Sequence, residues 1–232
     1  MLGGAAPTQL APSVGTWNEV ASDGTDVFVT EYDGAGAIKK FSSTGVASGA
    51  YAAQSFVRGL TVDADNVYWS TIGSFVNYSG RGVWAAPKNM TGAVSPVIAE
   101  ADFGGPKATL NYLAGAGGDL FAITFETTPT IKYHLLHHKT DGSGTTTELL
   151  QKSQLGGLAA DATYLYYSDF DDTRPAGEKN QMWRVPRANL TAAPESIFKG
   201  VDAINETISR VAVDDQNLYL VTVRTIFKLP KN

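Results

Sequence analysis

All three histidines of the chain fall in one six-residue run, HLLHHK, as His134, His137 and His138. Neutral imidazole is a common zinc ligand, so the cluster invites a metal reading. On an extended strand, however, successive side chains point to opposite faces. His134 and His138 then share one face and His137 takes the other, with no carboxylate fixed nearby in sequence. The run reads as a partly exposed strand. Four aspartates, Asp23, Asp63, Asp161 and Asp214, recur at matching places. They suggest a carboxylate cluster but are explained by turn chemistry, in which an Asp side chain accepts backbone N–H groups two residues on. DFDD offers Asp169, Asp171 and Asp172 as hard oxygen ligands. It lacks the sixth-position Gly and closing Glu of a helix–loop–helix calcium loop. It reads as a solvated acidic loop, with calcium the alternative, and no other cofactor is implied.

These residues sit in a repeat. Val57 to Thr71 reads VRGLTVDADNVYWST, a short apolar strand, a polar turn with Asp, and a strand of aromatic and β-branched residues. The pattern returns as NEVASDGTDVFVT, LNYLAGAGGDLFAIT, GGLAADATYLYYSD and SRVAVDDQNLYLVT. Anchored on Val27, Val67, Leu120, Leu165 and Leu218, the period runs from 40 to 53 residues, the span of a propeller blade. A third strand follows each pair: AIKKFSS, GVWAAPK, HLLHHK, MWRVPR and TIFKLPK. Three of the five end in Pro followed by a base, and Pro closes a strand without sitting inside a central one. A fourth, more polar strand follows in four repeats. The expected fold is all-β: a five-bladed β-propeller with four-stranded antiparallel blades, in one domain spanning 1–232. The fifth repeat stops after its third strand, and Thr8–Pro12 is expected to complete that blade and close the ring, since an open stack leaves unpaired edges. On the second strands, Trp69, Tyr167 and Phe28 are expected to alternate with Tyr68, Tyr166 and Val27 between two buried faces.

The runs VDADNVYWS, ADATYLYYS and VDDQNLYLV, each followed by a third strand ending in Pro plus a base, resemble bacterial β-propellers with NHL-like or YWTD-like repeats. The resemblance implies the fold. It implies no one function, because such propellers host scaffolds, receptors, lyases and hydrolases alike. Five blades also depart from the six or seven usual in those families, so no family active site carries over.

In a propeller the first strand of each blade lines the channel. Val20, Leu60, Leu113, Leu158 and Val211 are expected between the blade sheets. Ala21, Thr61, Ala114, Ala159 and Ala212 form a small-residue rung around the crowded axis. The rung before it reads Glu19, Gly59, Tyr112, Gly157 and Arg210, with Asn18, Arg58, Asn111 and Ser209 beyond it. Glu19 and Arg210 lie on the first and last blades. They read either as an ion pair at the closure seam or as a ligand-binding pair at the channel mouth. Loops between second and third strands, and between blades, open on this same end. They carry Trp17, Tyr32, Phe75, Tyr78, Arg81, Phe103, Phe170 and Arg174. Aromatics with Asn and Arg equip a binding face, although the aromatics also serve to pin their own loops. The candidate ligand-binding set is therefore Trp17, Glu19, Arg58, Asn111, Tyr112, Arg210, Tyr78, Arg81, Phe170 and Arg174.

Composition narrows the partners. The net charge of −5, without a basic stripe, excludes a phosphate-backbone binder such as a nucleic-acid protein. No cysteine is present, which removes disulfides, thiolate sites and Cys nucleophiles. No apolar run approaches the ~20 residues of a spanning helix. The first fifteen residues lack a basic and an apolar signal-peptide region, and their Ala/Pro/Thr/Ser character fits a mature extracytoplasmic domain, periplasmic or secreted. The expected role is a monomeric, non-catalytic module presenting its loop face to a protein, peptide or glycan. The alternative is a propeller hydrolase or lyase with its site at the channel mouth. Against it, the inner rungs offer one carboxylate, whereas glycoside cleavage takes two. No nucleophile elbow, phosphate loop or zinc signature is present either.

Overall fold

Alternating apolar residues and frequent Gly, Asp and Pro turns give short antiparallel strands joined by tight hairpins. The computed structural model describes residues 17–31, 36–42, 44–52, 56–73, 80–105, 108–127, 129–200 and 207–231. Blade one comprises β1 (Trp17–Ser22), β2 (Asp26–Glu31), β3 (Ala37–Ser42) and β4 (Ala47–Ala52). Blade two has β5 (Val57–Val62), β6 (Asn66–Ile72), β7 (Arg81–Pro87) and β8 (Ser95–Ala99). Blade three has β9 (Thr109–Ala116), β10 (Asp119–Glu126), β11 (Lys132–Lys139) and β12 (Thr146–Lys152). Blade four has β13 (Leu155–Ala160), β14 (Tyr164–Phe170), β15 (Asn180–Pro186) and β16 (Glu195–Lys199). Blade five has β17 (Arg210–Val213), β18 (Asn217–Val221) and β19 (Ile226–Pro230). Each sheet is a simple meander. Two single 3₁₀ turns, Glu100–Asp102 and Arg187–Asn189, are the only helical elements among the described residues. The protein is an all-β, five-bladed propeller. The expected closing strand, Thr8–Pro12, lies outside the described residues.

The inner strands follow one another around the axis as β1, β5, β9, β13 and β17. Arg210 on β17 donates to Glu19 on β1, which brings the last blade beside the first. Apolar clusters fill the interfaces between blades one and two, two and three, three and four, and four and five. Leu60, Leu113, Leu158 and Val211 enter these clusters. Val20 departs from the expectation and is 66% exposed. It faces the seam between blades five and one, where the described residues form no apolar cluster. Phe28 also departs from the expected grouping. It pairs with Ala21 as Tyr68 pairs with Thr61 and Tyr166 with Ala159, so it shares their face and not that of Trp69.

The repeated Asp turn is built as the turn chemistry requires. Asp63 Oδ1 accepts the N–H groups of Asp65 and Asn66, and Asp23, Asp161 and Asp214 make the same pair of bonds. The second carboxylate oxygen takes a phenol five residues on: Tyr68 donates to Asp63, Tyr166 to Asp161 and Tyr219 to Asp214. The base after the third-strand Pro then reaches to the preceding blade. Lys88 of blade two meets Asp23 of blade one at 2.6 Å. Arg187 of blade four meets Asp119 of blade three at 2.6 Å. Lys231 of blade five meets Asp161 of blade four at 2.6 Å. The Pro-base ending is thus a clasp between blades. Burial opposes ionisation of Asp119, but hydrogen bonds from His137, Arg187 and Lys139 prevail and hold its carboxyl at about 2.

Candidate functional site at the channel mouth

The end of the ring opposite the clasps is shaped by bulges. Pairing slips near the start of β1, β5, β9 and β13, between Trp17 and Val20, Arg58 and Leu60, Leu110 and Tyr112, and Leu155 and Leu158. A bulge adds one residue, bends its strand and re-aims the side chains. Regular alternation does not foresee it. The signal for it was a hydroxyl opposite each slip on the second strand: Thr30, Ser70, Thr124 and Ser168, all buried. Thr30 accepts the Glu19 N–H at 2.9 Å, Ser70 donates to the Arg58 carbonyl, and Ser168 donates to the Ile208 carbonyl at 3.0 Å. The Thr30 and Ser70 hydroxyls thus bond backbone groups at the bulges, while Ser168 joins the Gly157 N–H on the Ile208 carbonyl and ties blade four to blade five.

Four polar side chains from four blades converge there. Arg210 Nη2 lies 2.9 Å from Glu19 Oε1, and its guanidinium stacks over the Tyr112 ring at 5.0 Å from the centroid. Arg210 therefore spans from blade one to blade three. Burial pushes the Tyr112 phenol up, while the charges of Arg210 and Arg58 pull the other way and that of Glu19 adds to the rise. Arg58 belongs to the same electrostatic neighbourhood. It is exposed, and its guanidinium has no ion-pair partner among the described residues. The Arg210 side chain is half exposed at 51%, so part of its donor fork faces water. Blade four contributes Gly157 to this rung. A Cβ there would sit 2.8 Å from the Arg210 carbonyl carbon and 2.9 Å from the Val211 nitrogen, so only glycine lets β17 pass so close. The cluster can offer charge-assisted hydrogen bonds and an aromatic surface.

The other candidates are placed elsewhere. Arg81 is buried, donates to the Ala108 carbonyl and pairs with Glu100, so it fixes the connection from blade two to blade three. Arg174 forks onto both oxygens of Asp169 at 2.7 Å and lies over Trp183, which pins the blade-four loop. Asp169 also accepts from Trp183, and Asp171 accepts from Thr173, so the DFDD carboxylates serve their own loop. Among the described residues no group of three acidic, His or Cys side chains is arranged for a metal ion. Phe103 is fully buried between blades two and three. Phe170 and Asn111 are half-buried. Tyr78, Phe75, Tyr32 and the Trp17 side chain lie outside the described residues. The histidines divide as strand alternation requires: His137 stacks on Phe121 and bonds Asp119, while His134 bonds Glu148 and His138 bonds Thr146.

No family model matches the chain, and no curated protein matches it. Solved structures do. A chain from a nidogen–laminin complex superposes with a TM-score of 0.53 at 15% identity, over 89% of this chain and 89% of that one. A puromycin-hydrolysing peptidase of Mycobacterium tuberculosis gives 0.55 at 10% identity, over 92% of this chain and 37% of the peptidase. An acylaminoacyl peptidase of Pyrococcus horikoshii gives 0.57 at 8% identity, over 92% of this chain and 44% of the peptidase. This chain spans less than half the length of either peptidase. At such identities the likeness is one of fold.

Proposed function

We propose that the protein is a non-catalytic binding module whose channel mouth, bearing Arg58, Tyr112, Arg210 and Glu19, receives a ligand from a protein, peptide or glycan. The observation that carries this reading is the bridging Arg210, held between Glu19 and the Tyr112 face with half its side chain open to water. Two guanidinium groups beside one carboxylate favour an acidic or hydroxyl-rich ligand, because Arg presents a fork of donors to such oxygens. The hydrolase or lyase alternative gains nothing from the geometry. The one carboxylate in the mouth cluster is already paired, and the histidines are engaged on β11 in blade three.

The test is binding to peptide and glycan arrays, followed by Arg58→Ala with Tyr112→Ala. That pair should weaken capture by more than tenfold in protein that remains folded, with some loss of stability because the Tyr112 ring packs against the cluster between blades three and four. If Asp63 and Asp161 variants lose binding while folded, and the Arg58/Tyr112 pair does not, the site lies at the opposite end.

A further inference from the structure

The repeat supplies an internal comparison at the blade rims. Between blades one and two, the outer strand places Tyr51 opposite Ile38. The Tyr51 ring stacks on Trp69 with centroids 6.2 Å apart. Its hydroxyl donates to the Pro87 carbonyl at 3.1 Å and accepts from the Gly92 N–H at 3.1 Å. One aromatic ring with one hydroxyl thus seals that rim.

Between blades three and four the same framework stands without the ring. Phe121 pairs with Ala114 as Phe28 pairs with Ala21, which fixes the register of the two blades. Leu135 then takes the place of Ile38, and Leu150, its partner, takes that of Tyr51. Across the interface Tyr167 replaces Trp69, and Trp183 replaces Trp84. A branched four-carbon side chain cannot fill the place of a phenol. At this rim lies a cleft of about 590 Å³, mostly apolar, lined by Leu165, Tyr167, Leu150, Trp183 and residues 191–194. Tyr167 is 2% exposed, yet its hydroxyl has no hydrogen-bond partner among the described residues. The ring is buried, but the hydroxyl is not among the fully enclosed polar atoms that lack a partner, so it keeps some access to solvent. The cleft therefore combines ring-shaped apolar space with an unused polar atom, and its volume lies in the range of small-molecule sites.

We propose that this cleft binds a small planar aromatic molecule with a hydrogen-bonding edge, of the phenol or indole class. The ring takes the place that Tyr51 fills two interfaces earlier, against Tyr167, with its polar edge toward the Tyr167 hydroxyl and residues 191–194. The site is on the rim, on elements separate from the channel mouth, and does not depend on what binds there.

The experiment titrates the whole protein, carbon-13 labelled at Leu and Val methyls, with p-cresol and with indole. Saturable shifts confined to Leu135, Leu149, Leu150, Leu165, Val185 and Leu190 are expected, with a Kd of about 1 mM or tighter, as ligands this small allow. Leu150→Tyr should rebuild the blade-one seal, weaken both ligands at least tenfold and raise the melting temperature. Leu150→Trp provides a second filling variant should the first not fold. The proposal is overturned if neither probe gives a saturable shift, if the shifted methyls lie elsewhere, or if a filled cleft still binds. It is equally overturned if only a tyrosine-bearing peptide, and no free phenol or indole, occupies the cleft.

Discussion

Replacing Arg187 by Ala tests the clasp between blades three and four. Arg187 sits on the 3₁₀ turn after β15, with a side chain only 9% exposed, and meets an Asp119 side chain only 8% exposed. It donates to Asp119 Oδ2 at 2.6 Å, to the Asp161 carbonyl at 2.7 Å and to the Ala116 carbonyl. Removing one partner of a buried ion pair costs about 3–5 kcal/mol when the other charge is orphaned. Here Asp119 keeps His137 at 2.7 Å and Lys139 at 2.9 Å, so the carboxylate is not orphaned. The loss reduces to charge-assisted hydrogen bonds worth about 1.5–3 kcal/mol. We therefore expect Arg187→Ala to cost about 2–3 kcal/mol, or a fall of about 4–12 °C in Tm at this chain length. The assay is urea and thermal unfolding, with Arg187→Lys as a partial rescue. A double-mutant cycle with Asp119→Asn should show positive coupling. A cost below about 0.5 kcal/mol, the level of an ordinary surface substitution, would refute the clasp as a stabilising device.

Further outcomes follow from the same contacts. Tyr166→Ala, at a fully buried position, should cost about 3–5 kcal/mol in denaturant melts, and Tyr166→Phe about 1 kcal/mol through the lost bond to Asp161. The folded-state carboxyls of Asp119 and Asp214 stand at about 2, below their unfolded values. The unfolded chain then binds more protons in that window, so stability present above about pH 4 should be lost as pH falls toward 2, measurable by fluorescence-monitored melts. Truncation before Val14 should lower the Tm by several degrees if Thr8–Pro12 closes the ring, since the seam beside Val20 has no apolar cluster of its own among the described residues; an unchanged melt would sink that closure.

The fold was legible because a propeller repeats its turn chemistry. Asp63, Asp161 and Asp214 mark equivalent hairpins, and the aromatic strands that follow them are the blade interiors. Counting from those turns also brought Glu19, Tyr112 and Arg210 to one rung. What stayed hidden depends on partners distant in sequence. Lys88, Arg187 and Lys231 read as strand endings, because the carboxylates they clasp belong to the preceding blade. The Asp–Tyr spacing of five was visible three times, but hairpin geometry alone does not tell where the phenol points. The bulges broke the period-2 alternation that placed Arg58 off the axis. Val20 was misplaced because the repeat promises every inner strand the same neighbours, which the described residues do not supply at the seam. Arg81 and Arg174 looked like loop-face residues by sequence position, and the fold instead commits them to Glu100 and Asp169. The rim cleft was not foreseen either, since it arises from Leu150 standing where another blade has Tyr51.

The most direct test of the channel mouth follows the arginine side chains themselves. A nitrogen-15 arginine-labelled protein would be titrated with an acidic or hydroxyl-rich ligand taken from the array. If the mouth is the binding face, the Nε resonances of Arg58 and Arg210 shift together and saturate with one Kd, while those of Arg187 and Arg81 stay fixed. Saturable shifts at Arg187 with Arg58 and Arg210 unmoved would place binding at the clasped end and contradict the proposal.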